Sequence, residues 1–274
     1  MNIVVLSGKG GTGKTLVSTN LAKFMQANYI DGDVEEPNGF IFLKPVIEET
    51  IDVKVDIPFI DKNKCKKCFK CIDFCKFNVL AKTNDEILVF DKLCHSCGGC
   101  KIACPADAIK YVDKKVGIIE RGYSDNIKCF RGLLNIGEPM AVPVIKELLN
   151  NLGGKSNIID SSPGTSCNVV NILEYADVAI LVTEPTNFGL HDLDRAVKLI
   201  KKFNIPFGVI INRVTDKDNI ITKYCSENKI EILGQIDYDK DIAVAYSKGD
   251  LIINKDKYLN IFENLSNNIK EKLL

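Results

Sequence analysis

The chain has 274 residues, of which 46% are hydrophobic, and its 36 basic and 36 acidic residues give a formal net charge of zero. This length allows one large domain or two unequal ones, and the balanced charge gives no indication of nucleic-acid binding, which needs a basic surface. The first residues enter an apolar run without a basic leader or cleavage site, and no run is long enough to span a membrane, so we expect a cytoplasmic protein.

Short runs of Ile, Val and Leu alternate with segments of helical spacing. The runs lie at residues 3–6, 157–160, 178–182, 207–211 and 230–236. Nearly continuous apolar runs are typical of strands that are buried on both faces. The helical segments lie at residues 14–27, 139–152, 190–203, 219–227 and 239–248. The alternation predicts an α/β fold in which helices flank a mostly parallel sheet.

The loop after the first strand has the spacing of a phosphate-binding loop, G-x4-G-K-T. Its residues are Gly8, Lys9, Gly10, Gly11, Thr12, Gly13, Lys14 and Thr15. Glycines in such a loop let backbone N–H groups point at phosphate oxygens, and the helix that follows adds the positive end of its dipole. We expect Lys14 to reach the outer phosphates of ATP and the Thr15 hydroxyl to bind Mg²⁺.

Two other interpretations fit part of this loop. Its glycines also match the G-x-G-x-x-G fingerprint of dinucleotide-binding domains, with Asp31 near the position of the expected acidic residue. A glycine turn without a ligand is the other alternative. The Lys14–Thr15 pair favours a nucleoside triphosphate, because a hydride cofactor does not need it. Asp160, at the end of a predicted strand, is expected to hold Mg²⁺ through water.

The lysine at position 9 gives the loop the sequence KGGTGKT, which resembles the deviant P-loop ATPases of the MinD/Mrp/ParA group. The resemblance implies that Lys9 reaches the phosphates bound to a second subunit, so that two ATP-bound copies form a nucleotide-sandwich homodimer. The alternative is that Lys9 is an ordinary solvated loop residue.

Two further segments extend the resemblance. Residues 31–38, DGDVEEPN, are similar to the switch I segment of the group. The resemblance implies that Asp33 orients or activates the attacking water and that Asp31 supports the Mg²⁺ shell, although these roles are open to exchange. Asn212 and Arg213 follow the strand at residues 207–211 and are expected at the nucleotide, where the Asn212 amide would read the edge of adenine.

Between residues 58 and 114 the strand–helix alternation stops, and eight cysteines form two runs with the spacing C-x2-C-x2-C-x3-C. The runs are Cys65, Cys68, Cys71, Cys75 and Cys94, Cys97, Cys100, Cys104. This spacing is that of bacterial iron–sulfur proteins, and thiolates are soft ligands that suit such clusters. We therefore predict a small ferredoxin-like α+β domain at residues 58–114, inserted into a P-loop domain formed by residues 1–57 and 115–274.

In two-cluster ferredoxins the fourth cysteine of each run ligates the other cluster. By that rule one [4Fe–4S] cluster is held by Cys65, Cys68, Cys71 and Cys104, and the second by Cys94, Cys97, Cys100 and Cys75. Zinc is the alternative metal, but zinc-binding cysteine pairs are usually separated by longer loops. The other three cysteines, Cys129, Cys167 and Cys225, have no assigned role.

The last segment, residues 257–273, places apolar residues at helical spacing. We interpret it as a terminal helix packed on the sheet. A helix that lies on a membrane surface is the alternative.

The resemblance to MinD-type ATPases with a ferredoxin insert covers almost the whole chain, including residues 132–139, GLLNIGEP. It implies an ATPase, slow without its partner, with Lys9, Lys14, Asp33 and Asp160 as catalytic residues. Our leading hypothesis is ATP-gated electron transfer to a partner oxidoreductase. The alternatives are a scaffold that delivers iron–sulfur clusters to apo-proteins and, as for MinD and ParA, a spatial organiser on a membrane or nucleoid.

Overall fold

The computed structural model describes residues 1–84, 86–150, 152–154 and 156–273. The strands of this part of the chain are, in order, β1 (Asn2–Leu6), β2 (Asn28–Asp31), β3 (Val46–Ile60), β4 (Leu80–Lys82), β5 (Ile87–Val89), β6 (Ile109–Ser124), β7 (Ile127–Leu134), β8 (Asn157–Asp160), β9 (Val178–Thr183), β10 (Phe207–Val214) and β11 (Glu231–Asp237). All but β4 and β5 form one sheet in the order β11–β10–β9–β1–β8–β2–β7–β6–β3.

The α-helices of the same residues are α1 (Lys14–Met25), α2 (Gly39–Leu43), α3 (Lys70–Phe74), α4 (Gly99–Ile102), α5 (Val142–Leu149), α6 (Cys167–Leu173), α7 (Asn187–Lys201), α8 (Ile220–Glu227), α9 (Lys240–Ser247) and α10 (Asp256–Leu273). Short 3₁₀ turns lie at Asp91–Leu93 and Ile252–Asn254. Several helices begin at side-chain caps. Asn219 and Thr222 form a reciprocal capping box at α8, and the Thr186 side chain accepts a hydrogen bond from Gly189 N at α7.

The sheet is mostly parallel, as predicted. Every neighbouring pair from β11 to β7 is parallel, and the pairs β7–β6 and β6–β3 are antiparallel. One buried apolar cluster packs α5, α6, α7 and α8 on one face, and another packs α1, α2, α9 and α10 on the other. Strands such as Ile3–Leu6 are apolar throughout because both faces are covered. The fold is therefore an α/β P-loop fold with helices on both sides of the sheet.

The five predicted strands and the helices between them are all present, with shifts at their ends. The predicted helix at residues 139–152 is observed only over Val142–Leu149, and residue 151 lies outside the described residues. Six strands of the described residues were not predicted, and four of them belong to the large sheet. One of them, β3, is exposed along most of its length, so its side chains lack the apolar pattern of a buried strand.

A long two-stranded ribbon joins the cysteine-rich region to the sheet. Strands β3 and β6 pair in antiparallel register from Val46 opposite Tyr123 to Ile60 opposite Ile109. Beyond its end lie α3, the β4–β5 hairpin and α4, around a small core that includes Cys71, Val79, Leu80 and Cys94. The predicted boundaries at residues 58 and 114 fall inside these strands, so the division into two domains stays a prediction.

The last helix packs on the sheet, which confirms the interpretation of residues 257–273. α10 buries Tyr258, Phe262, Leu265 and Ile269. The apolar face of α10 is therefore covered within the fold. Within the described ranges, no helix combines the length and the apolar character that crossing a bilayer requires.

Candidate functional site

A cavity of about 390 Å³ lies at the carboxyl ends of the parallel strands, the edge where ligands bind in open α/β sheets. From the glycine loop it is lined by Gly10, Gly11, Gly13, Lys14 and Thr15. Residues 33, 36 and 38 line a second side, and Asn212, Arg213, Asp237, Tyr238, Asp239 and Tyr246 line the far end. The structure thus brings the predicted phosphate-loop and adenine-end residues to one site.

The glycine loop has the backbone conformation that its sequence predicts. Gly11 and Gly13 have φ angles of +81° and +96°, in the left-handed region that favours glycine. A Cβ atom on Gly13 would lie 2.1 Å from Nδ2 of Asn212, whereas one on Gly10 or Gly11 would meet nothing within 4 Å. Gly10 and Gly11 therefore leave the loop backbone open to a ligand, close to the N-terminus of α1.

Lys14 and Asp160 form a buried ion pair at the floor of the cavity. Nζ of Lys14 donates to Oδ1 of Asp160 at 2.6 Å, and the Tyr29 hydroxyl donates to Oδ2 at 3.1 Å. Burial lowers the pKa of Lys14, but the Asp160 carboxylate outweighs that effect and the pKa is raised overall. Lys14 therefore stays charged. The sequence does not indicate this contact of Tyr29 with Asp160, because a buried tyrosine on a strand is usually a core residue.

The two aspartates of residues 31–38 occupy different positions. Asp31 is buried and accepts hydrogen bonds from Gly39 N at 2.8 Å and Asp33 N at 3.3 Å, while Asp33 lines the cavity. Burial and the nearby Asp160 carboxylate raise the pKa of Asp31 to about 7. Burial also raises the pKa of Asp33 to about 6, against the opposing effect of Lys14. A carboxyl group with such a pKa can exchange a proton near neutral pH.

Lys9 is not among the residues that line the cavity of its own chain. Its amino group contacts Oε1 of Glu184, whose Oε2 accepts from Nη1 of Arg213 at 3.1 Å. Lys9 is 32% exposed and Glu184 is 13% exposed. Glu184 was not predicted as a site residue, although its place directly after a buried parallel strand is a signal of such a role.

Asn212 fastens the far end of the cavity to the glycine loop. Its Nδ2 donates to the Thr12 carbonyl oxygen at 2.8 Å, and its Oδ1 accepts from Arg213 N at 2.9 Å. Both polar atoms of the amide are therefore engaged within the protein. Recognition of adenine by Asn212 stays a prediction. Tyr238 and Tyr246, neither of which was predicted as a site residue, also line this end of the cavity.

Two buried hydroxyl groups beside the site have no hydrogen-bond partner among the described residues. They are Oγ1 of Thr12, in the glycine loop, and Oγ of Ser162, two residues after Asp160. Buried polar atoms are almost always hydrogen-bonded in folded proteins. These two atoms therefore fit a site whose remaining polar partners come from a ligand or from water.

The eight cysteines of the predicted insert lie in two sets around two cavities. Cys75, Cys94, Cys97 and Cys100 line a cavity of about 90 Å³. Cys65, Cys68, Cys71 and Cys104 line a cavity of about 10 Å³. Each set takes three cysteines from one run and the fourth from the other, which is the grouping that the crossed rule predicts. We name them the Cys100 cavity and the Cys71 cavity.

The thiols surround these cavities instead of meeting at one point. In the described ranges, no group of three or more His, Cys, Asp or Glu side chains has an arrangement that could hold a single metal ion. Burial and the neighbouring thiols raise the pKa values of Cys71 and Cys94. Burial therefore favours the protonated thiols at these two positions unless a positively charged ligand lies among them.

Donors to sulfur are already in place around both cavities. Ser96 N donates to Sγ of Cys94 and Ala108 N to Sγ of Cys104, each at 3.4 Å. The Tyr111 hydroxyl lies 3.6 Å from Sγ of Cys100. His95, which belongs to neither set, is exposed.

The remaining cysteines lie elsewhere. Cys129 and Cys225 are buried, and burial raises their pKa values to about 12 and about 11. Cys167 is exposed at the first position of α6. The two buried thiols are core residues with little thiolate character.

The profile of the "CobQ/CobB/MinD/ParA nucleotide binding domain" matches residues 3–252. An uncharacterized protein of Methanocaldococcus jannaschii is 33% identical over 275 aligned residues, which cover 97% of each chain. An iron-sulfur cluster carrier protein of Pyrococcus horikoshii is 26% identical and covers 85% of this chain and 66% of its own. Among solved structures, the septum site-determining protein MinD of Pyrococcus horikoshii, in complex with Mg-ADP, aligns with a TM-score of 0.59 and 19% identity over 98% of this chain and 96% of its own.

The profile match covers most of the chain, and the fold and the glycine-loop cavity agree with it. The chain therefore belongs to the CobQ/CobB/MinD/ParA family of nucleotide-binding proteins.

Proposed function

We propose that this protein is an ATPase that gates electron transfer through two [4Fe–4S] clusters to a partner oxidoreductase. The observation that carries the proposal is the sorting of the eight cysteines into two complete sets of four, on the same chain as a P-loop cavity. Complete sets suit clusters that remain on the protein while electrons pass.

In the nucleotide site, the backbone N–H groups of the glycine loop and the Lys14 ammonium would hold the phosphates. Thr15 and Asp160 would hold Mg²⁺. Lys14 would then have to leave the Asp160 carboxylate and contact a phosphate oxygen instead. Asp33 lines the cavity and would orient water or accept its proton. Water then forms a bond to the γ-phosphorus as the bond to the bridging oxygen breaks, and ADP and phosphate leave.

Lys9 would act in a homodimer. It is paired with Glu184 and is not among the residues that line its own nucleotide cavity, so we assign its role to the nucleotide of a second subunit. When the ATP-bound dimer closes, the Lys9 amino group would leave the Glu184 carboxylate and contact a phosphate oxygen of the ATP bound to the second subunit. A cation supplied in trans stabilises the charge that develops in phosphoryl transfer.

The cysteine sets fit iron–sulfur clusters in their chemistry, because each offers four thiols in a largely apolar surrounding. Each cluster, when bound, would take one electron from a low-potential donor protein and pass it to the partner oxidoreductase, with no bond made or broken. The Cys71 cavity has room for about one water molecule. Its side chains must therefore part to admit a cluster, and the exposed position of Cys68 allows this.

The affinity for MgADP should increase as the pH rises through about 6 to about 7. The raised pKa values leave Asp33 and Asp31 partly protonated in this range, and Mg²⁺ displaces those protons. The expected gain is up to about ten-fold per pH unit for each proton released. Calorimetry in buffers of different ionisation enthalpy measures this release. At pH 6 the apparent heat should depend on the buffer, and a heat that is the same in every buffer would contradict the prediction.

Replacing Tyr111 by phenylalanine should lower the reduction potential of one cluster only. Burial and the Cys100 contact raise the pKa of Tyr111, so its hydroxyl remains protonated and able to donate to the cysteine sulfur. Hydrogen bonds to sulfur raise cluster potentials, and a bond with a net value of about 1 kcal/mol corresponds to about 40 mV for one electron. A redox titration followed by EPR should show one shifted and one unshifted cluster. Two unchanged potentials would exclude this role.

A second function, transfer of the cluster itself, is favoured by one finding. A relative that covers 85% of this chain is named an iron-sulfur cluster carrier protein. In this alternative the protein would assemble clusters on its cysteines and release them to apo-proteins. It requires cysteines that are easily vacated, whereas Cys71 and Cys94 lie in the core of the insert.

One experiment separates the two functions. Anaerobically reconstituted, reduced protein is mixed with a one-electron dye and with an apo-ferredoxin, in ATP or in ADP. Gated electron transfer predicts dye reduction at a rate that depends on the nucleotide, with iron retained on the chain. Movement of iron to the apo-ferredoxin on addition of ATP would favour the carrier. Dye reduction at one rate in every nucleotide would exclude gating.

A further inference from the structure

A turn between β7 and α5 contacts both the nucleotide site and the insert. We name residues 134–138 the bridging turn. It is fastened to β6 by two hydrogen bonds, from Asn135 N to the Val116 oxygen at 2.9 Å and from Asn135 Nδ2 to the Lys115 oxygen at 3.0 Å. A third bond, from Glu138 N to the Asn135 oxygen at 3.1 Å, closes it. The turn is thus held as one unit.

At one end the bridging turn is bonded to the segment that carries Asp33. Leu134 N donates to the Val34 oxygen at 2.9 Å. Before the turn, Gly132 packs so closely on Val34 that a Cβ atom would lie 2.6 Å from Cγ1 of that valine. A displacement of Asp33 and Val34 on nucleotide exchange would therefore move the turn.

At the other end the bridging turn holds the insert through lysines. Nζ of Lys114 lies 2.9 Å from Oε1 of Glu138 and 3.0 Å from Oδ2 of Asp91, and Nζ of Lys92 donates to the Gly137 oxygen at 3.0 Å. The Lys114 and Glu138 side chains are only 17% and 13% exposed, so solvent screens this pair less than a surface ion pair.

The insert residues of this contact lie beside a predicted cluster ligand. Asp91 opens the short 3₁₀ turn that ends before Cys94, and its carbonyl oxygen accepts a hydrogen bond from Cys94 N at 3.0 Å. Cys94 belongs to the Cys100 cavity. A continuous set of contacts thus joins Asp33, through the bridging turn and Lys114, to this cavity.

We propose that Lys114 is a positioning residue that transmits the nucleotide state to the cluster in the Cys100 cavity, and that this cluster responds more than the one in the Cys71 cavity. The inference rests on the proposed function, since it names how the gate reaches the electron carrier. It assigns the regulated role to one of the two cysteine sets.

The experiment compares cluster potentials in MgADP and in Mg²⁺ with a non-hydrolysable ATP analogue, for the full chain with both clusters. Lys114→Met removes the charge and keeps the length of the side chain, and Lys114→Arg restores the charge. Lys115→Met is the matched control, because the neighbouring Lys115 is 46% exposed and pairs with Asp52 at 2.6 Å. The cluster of the Cys100 cavity is identified by its sensitivity to Tyr111→Phe.

We expect Lys114→Met to lose at least about half of the nucleotide-dependent shift of that cluster, while Lys114→Arg and Lys115→Met retain it. Iron content and MgADP affinity should be unchanged in all three variants. A wild-type shift that persists in full in Lys114→Met overturns the inference and leaves the proposed function standing. No shift in the wild type overturns the proposed function itself.

If Lys114→Met loses iron, amide hydrogen exchange of the unmodified protein tests the inference instead. Replacing ADP by the ATP analogue should change exchange together in residues 33–34, 134–138 and 91–94. A change confined to residues 33–34 overturns the inference.

Discussion

Replacing Lys9 by methionine is expected to slow ATP hydrolysis by about 10³-fold or more, with little change in the affinity of the chain for MgADP. Lys9 does not line the nucleotide cavity of its own chain and is held outside it by Glu184. Its contribution to catalysis should therefore require a second subunit. Phosphate release at saturating ATP measures the rate, and equilibrium titration measures the affinity.

The two lysines of the loop should behave differently. Lys14 lines the cavity, so Lys14→Met should lose nucleotide affinity itself. Sedimentation in a non-hydrolysable ATP analogue should show a dimer for the wild type and a monomer for Lys9→Met. Lys202→Met changes an exposed lysine at the end of α7 and is the control for loss of surface charge. Wild-type hydrolysis by Lys9→Met would exclude a role for Lys9 in trans.

Pairs of cysteine substitutions should reveal the crossed ligand sets through iron content. The double variant Cys65→Ser with Cys104→Ser changes two residues of one predicted set, so it should lose one cluster and retain about four iron atoms per chain. The double variant Cys65→Ser with Cys75→Ser changes one residue of each set, so it should lose both clusters. The grouping of the side chains around the two cavities is the reason for this difference.

The alternative, ligation within each run, predicts the opposite pattern. Cys65 and Cys75 would then share one cluster, and their double variant would retain about four iron atoms. Cys167→Ser is the control, because Cys167 is exposed and lies outside the insert. It should retain about eight iron atoms per chain. Iron and sulfide analysis of anaerobically reconstituted protein provides the measurement.

The central strands and the glycine loop could be predicted because local sequence determines them. Strands such as residues 3–6 and 178–182 are buried on both faces, so their apolar runs are visible in the sequence. Gly13 precedes a helix and requires a positive φ angle, which the G-K-T pattern already indicates. The crossed grouping of the cysteines followed from their spacing and a rule of ligation, without knowledge of the fold.

Other features depend on contacts between distant residues. Strand β3 is exposed on most of its length, and its pairing with β6 is set by the ribbon and not by its own pattern. Glu184 lies 175 positions from Lys9, and Glu138 lies 47 positions from Asp91 (the two are joined through Lys114). Charged residues at such separations carry no local signal of their partners, so neither the Lys9 contact nor the bridging turn could be predicted.

The most direct measurement is the midpoint potential of the two clusters in MgADP and in a non-hydrolysable ATP analogue with Mg²⁺, followed by EPR on anaerobically reconstituted protein. A coupling free energy of about 1 kcal/mol between two sites corresponds to a shift in potential of about 40 mV for one electron. We predict a shift of at least this size for the cluster of the Cys100 cavity. Equal potentials in both nucleotides, with full iron content and both nucleotides bound, would contradict ATP-gated electron transfer.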